Sequence, residues 1–121
     1  SVAHAQCVML PNESSMKVLS VYWKVDTEYL GSKCPLALCG VVQNTSKLTY
    51  SFAIVECSVF EIATNIKIAS ANAILYNVAP GDKVEFTAGV DIPADKRNNY
   101  RGRVDKICGA TDEQLRREQQ Q

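Results

Sequence analysis

The sequence predicts an all-β fold, an antiparallel sandwich of about seven short strands, on three observations. Apolar and polar residues alternate with period two in segment after segment, which gives an extended chain one buried and one wetter face. Turn-forming clusters, Asn44-Thr45-Ser46-Lys47, Ala63-Thr64-Asn65 and Ala79-Pro80-Gly81-Asp82, separate these segments. Between the clusters, β-branched and aromatic residues outweigh helix formers. At 121 residues one domain is expected, and a chain of this size buries about two-thirds of its unfolded surface.

Taken in order, residues 1–15 lack a period and read as an irregular arm. Residues 17–25 place Leu19, Val21, Trp23 and Val25 on one face, opposite Val18, Ser20, Tyr22 and Lys24. Residues 35–43 align Leu36, Leu38, Gly40 and Val42, and residues 48–62 form a long segment rich in Tyr50, Phe52, Ile54, Val55, Val59 and Phe60. Residues 66–71 and 73–78 read as two short strands. In residues 83–91, Val84, Phe86, Ala88 and Val90 face one way and Lys83, Glu85 and Thr87 the other. A polar loop over 93–99 precedes a last strand over 100–108, whose charges suit an edge. Glycines inside strands, such as Gly40, mark bulges or close packing. Thr111 to Gln114 fits a capping box, but Leu115 is the lone apolar residue beyond it, so the tail is read as a short helical end. The domain is thus expected over 16–108, between an arm at 1–15 and a polar tail at 109–121.

Thirteen Lys and Arg balance thirteen Asp and Glu, which removes the whole-chain electrostatic case for nucleic acid. No apolar run reaches the ~18–20 residues of a spanning helix. A single histidine, His4, leaves little room for imidazole chemistry.

The middle of the chain, about residues 38–90, resembles an FxLYD domain. Gly40-Val41-Val42-Gln43-Asn44 matches that family's Gly-x-Val-x-Asn strand end. Cys57-Ser58-Val59-Phe60-Glu61 stands where its Phe-x-Leu-Tyr-Asp motif falls, with Cys in place of Phe. Val78-Ala79-Pro80-Gly81, followed by Val84-Glu85-Phe86-Thr87-Ala88, matches its Pro-Gly turn and final strand. The resemblance implies an immunoglobulin-like sandwich, mostly prokaryotic and extracytoplasmic, without catalytic residues.

Five cysteines, Cys7, Cys34, Cys39, Cys57 and Cys108, exceed what a cytosolic domain of this size usually carries, so disulfides in an oxidising compartment are expected. Buried cysteines acting as small core residues are the plain alternative. Zinc is disfavoured because there is no Cys-x2-Cys pair, and a catalytic thiol because only His4 offers a base. If Asn44 to Lys47 closes a hairpin, Gln43 faces Leu48, and that register sets Cys34 opposite Cys57 as the first candidate pair. Cys34–Cys39 is a short-range rival, and Cys108 a further candidate. Ala3-His4-Ala5 resembles the end of a signal peptide, which adds to an expected periplasmic or secreted location.

The carboxylates Asp26, Glu28, Asp91 and Asp95 lie near strand ends and read as solvated loops. Lys96, Arg97, Arg101, Arg103 and Lys106 form the basic cluster around Tyr100. It reads as a charged edge strand, with a positive stripe for anions or single strands as the rival. The expected function is a non-enzymatic protein-binding or assembly module of the cell envelope, needing no metal or cofactor, whose partner is another protein, a second copy included. Contact candidates are Tyr22, Phe52, Ile54, Tyr100, Arg101 and Arg103. The alternatives are a carbohydrate- or small-ligand-binding sandwich, with Trp23, Tyr22 and Tyr50 lining a groove, and one domain of a larger secreted protein.

Overall fold

The computed structural model describes residues 8–9, 15–25, 35–113 and 116. Two antiparallel sheets face each other. One orders strands β1 (Val8–Met9), β7 (Tyr100–Thr111), β4 (Tyr50–Glu61) and β5 (Lys67–Val78); the other orders β2 (Met16–Val25), β3 (Pro35–Asn44) and β6 (Lys83–Pro93). A 3-10 turn over Ala94–Asn99 leads from β6 into β7. Among the described residues, no helix is long and apolar enough to cross a membrane.

The core is the meeting of two alternating patterns. Leu36, Leu38 and Val42 of β3, with Phe86, Ala88 and Val90 of β6, pack on Ala53, Val55, Cys57 and Val59 of β4 and on Ala71, Ala73 and Leu75 of β5. Phe86 is fully enclosed, and Gly40 makes the room for it. A Cβ at Gly40 would strike both the Phe86 ring and the Ser20 carbonyl. That is the close packing its sequence position suggests.

Three features of the topology depart from the pattern reading. The segment read as buried through Leu19 and Val21 contains a register shift between Val18 and Ser20. One extra residue shifts the alternation: Met16 and Val18 meet the core before it and Trp23 and Val25 after it, while Leu19, at the shift, is exposed at 41%. Val21 keeps the register of Trp23, opposite Gly40, yet is exposed at 38%. The two short strands over 66–71 and 73–78 are one continuous β5. Within the region read as an irregular arm, Val8–Met9 pairs with Gly109 and Cys108.

The largest departure concerns Asn44. Strands β3 and β4 are not a hairpin: β3 pairs with β2 and β6, and β4 with β5 and β7. Both edges of β3 stay occupied to its end. Asn44 N donates to Asp82 O at 3.0 Å, Gly81 N donates to Asn44 O at 2.8 Å, and Thr45 N donates to Ser15 O at 3.1 Å. No edge remains for β4, so the chain crosses to the other sheet. The buried Asn44 side chain ties the crossing, donating from Nδ2 to Leu48 O (2.8 Å) and Val78 O (3.0 Å) and accepting from Ser46 N (3.0 Å) at Oδ1. Opposite it, Ala79-Pro80-Gly81-Asp82 forms the expected tight turn. Asp82 N donates to Ala79 O at 3.0 Å and Gly81 takes φ +85°, the type II arrangement with Pro then Gly at the centre.

Candidate functional site

The crossing of β3 removes the predicted Cys34–Cys57 register. Cys57 lies between Ala71 and Val104, buried, with a free thiol, and Cys39 is likewise buried and free; neither belongs to a disulfide. Cys34 lies outside the described residues. Cys108 is disulfide-bonded. Burial first, and the Asp105 charge second, push the Cys57 thiol up to about 11, which makes it an inert core group.

The contact candidates separate in the same way. Phe52 was expected on an exposed face but is buried, and Ile54 and Tyr100 are half-buried. The exposed Tyr22 donates to Glu85, a bond that with burial and the Glu85 charge raises the phenol to about 12. Trp23 points the other way and donates Nε1–H to Tyr100 O at 3.2 Å, linking the sheets. Tyr50 is buried in the other sheet, so Tyr22, Trp23 and Tyr50 line no common groove. Among the described residues no three metal-ligating side chains gather.

What the fold assembles instead is the outer face of the four-stranded sheet. Because Val55, Cys57 and Val59 point into the core, the alternate residues of β4 point outward with their cross-strand partners. The rows run Tyr76–Phe52–Ala110, Ile74–Ile54–Cys108, Asn72–Glu56–Lys106, Ser70–Ser58–Arg103 and Lys67–Phe60–Arg101. Two rows are apolar and the far rows are charged. In the middle, Lys106 pairs with Glu56 at 3.4 Å.

At the charged end the guanidinium carbons of Arg101 and Arg103 lie 4.9 and 4.6 Å from the centre of the Phe60 ring. Arg103 Nε donates to Asp105 Oδ1 at 2.9 Å, Ser58 Oγ donates to Asp105 Oδ2, and Arg101 donates to Asn65 Oδ1. Desolvation pushes the Asp105 carboxyl up, but the bonds from Ser58 and Arg103 and the charges of Arg103 and Lys67 together hold it below the usual value. The strand read as a charged edge is flanked by β4 along its length and, among the described residues, by β1 at Cys108 and Gly109.

At the other border, β5 ends the sheet, and its residues 68–78 carry no charge. Ile68, Ile74 and Tyr76 on it are exposed at 45%, 48% and 67%, with Ile62 and Ile66 exposed in the preceding turn. Pattern reading passed over this border. Its signal in the sequence is the long uncharged run, which edge strands ordinarily avoid.

No family model, curated protein or solved structure matches the chain.

Proposed function

We propose that the protein is a non-enzymatic, exported protein-binding or assembly module, immunoglobulin-like in the manner of the FxLYD domains it resembles, and that it takes its partner along β5. The observation that carries this reading is the uncharged β5 border with Ile68, Ile74 and Tyr76 exposed on it. An edge with no charge or proline over residues 68–78 and no further strand beside it among the described residues invites strand addition from another chain. The five cysteines and the bonded state of Cys108 support an oxidising compartment. A second copy of the chain is the simplest partner of this kind.

A photo-crosslinking residue placed at Tyr76 of the exported protein tests the reading, with one at Asp95 as control. Adducts from position 76 alone, lost in Ile74→Lys, are expected. The same adducts from both positions, or adducts that survive Ile74→Lys, overturn it. The stability of Ile74→Lys should change by less than about 0.5 kcal/mol, as is usual for exposed positions.

A further inference from the structure

The charged end of the outer face holds more positive charge than it uses. Three strands contribute to it: Lys67 and Arg101 lie directly opposite Phe60, on β5 and β7, and Arg103 lies opposite Ser58 one row on. Of these three cations only Arg103 is ion-paired among the described residues, to Asp105. Arg101 spends one donor on Asn65 and Lys67 is in no ion pair. Glu61, next along β4, accepts a hydrogen bond from Thr64 at 2.8 Å. Asp105 is committed twice over, to Ser58 and Arg103. The ring of Phe60 gathers the two guanidinium groups, each such contact contributing about 0.5–1 kcal/mol at an exposed site. Repulsion between like charges would otherwise spread them.

The geometry points to a binding site for one phosphate group, free or as a monoester, between Arg101, Lys67 and the unused donors of Arg103. Arg101 and Lys67 are each without a salt bridge among the described residues. They leave the cluster of Lys67, Arg101, Arg103, Asp105 and Glu61 with a surplus of one positive charge for a group that carries about −1.5 to −2 near neutral pH. The planar Arg101 fork suits its oxygens in a paired, bidentate contact. A nucleic-acid strand fits less well. It needs several neutralised phosphates and a free aromatic face for its bases, whereas this chain has no net charge and the Phe60 ring already carries two guanidiniums.

Titration of the full chain with inorganic phosphate and with glycerol 3-phosphate, at constant ionic strength set with chloride and followed by amide shifts in NMR, tests the site. Saturable shifts at residues 65–67 and 101–103 are expected, weakened about tenfold in Arg101→Gln and less in Lys67→Gln. Lys17→Gln on β2 should match the wild type. Amide spectra of each variant show whether it is folded, and Lys67→Gln decides the matter if Arg101→Gln is not. Tighter saturation by the ester assigns the site to a phosphorylated ligand, and tighter saturation by inorganic phosphate to the free ion. Linear, unsaturating shifts, or equal weakening by Lys17→Gln, overturn the site. So does a single-stranded oligonucleotide that saturates the same amides more tightly than either phosphate.

Discussion

Across the outer face of the four-stranded sheet, the rows at Phe52 and Ile54 and those at Ser58 and Phe60 share one backbone register and little else. At the first end Phe52, Cys108 and Ala110 are buried while Ile74 and Tyr76 beside them stay exposed. At the second, an aromatic ring is overlaid by two arginines and bordered by a lysine. Both ends centre on a phenylalanine, yet one ring is enclosed and the other is a platform for charge. The inner face of the same strand is apolar throughout, since it must meet β3 and β6. Only the face released from the core was open to such division. Each end suits a different kind of partner: an apolar extended chain along β5 at one, an anionic group at the other.

The sharpest way to break this comparison is to truncate both rings. Phe52→Ala removes an almost fully buried side chain and should cost about 3 kcal/mol or more in urea unfolding. Phe60→Ala, half-buried, forfeits two surface cation–π contacts and partial burial, about 1–2 kcal/mol. Equal losses would mean that the two rings are held alike and that the ends differ in composition only.

Much of the inner face was legible in the sequence, whereas the outer rows were not, and the reason is physical. Val84, Phe86, Ala88 and Val90 follow one another within a single strand, so period two reveals them. Lys67, Phe60 and Arg101 become neighbours only through the pairing of three strands far apart in sequence, and no local pattern states that pairing. The β3–β4 crossing was hidden for a related reason. Asn44 is a turn former in a hairpin and in a crossing alike, and only the occupied edges of β3 separate the two cases. At Leu19 a single bulge residue reversed the expected face. The resemblance to an FxLYD domain rests on Gly40 to Asn44, Cys57 to Glu61, Val78 to Gly81 and Val84 to Ala88. These include Ser58 and Phe60 of the charged end but none of the cations Lys67, Arg101 and Arg103 that pairing brings beside them.

A smaller effect tests the electrostatics of the charged end. Asp105 has a lowered folded-state pKa, so its carboxylate contributes stability above the unfolded value near 3.9 and loses it as pH falls through the folded value. The side chain is about one-third exposed, which limits the contribution to about 1 kcal/mol. Asp105→Asn should therefore be less stable than the wild type at pH 7 by up to about that amount. The two urea midpoints should converge once the pH falls below the lowered folded-state pKa of Asp105, where both side chains are uncharged. A gap that persists undiminished at acid pH would assign the effect to shape and hydrogen bonding instead.

The smallest effect reaches from the charged end through the sheet. Cys57 lies on the inner face beneath these rows, and its thiol stands at about 11, raised mainly by burial and secondarily by Asp105. At pH 8.5 less than about 1% of it is thiolate, the form that reacts with iodoacetamide. The folded protein should leave Cys57 unlabelled over a period in which the unfolded protein labels completely, as peptide mass spectrometry would show. Because burial is the larger cause of the rise from 9.0 to about 11, Asp105→Asn should speed native labelling by less than about tenfold, under about one pKa unit. Labelling as fast as in the unfolded chain would reverse that order of causes. It would make the thiol a reporter of the charged end rather than of the core.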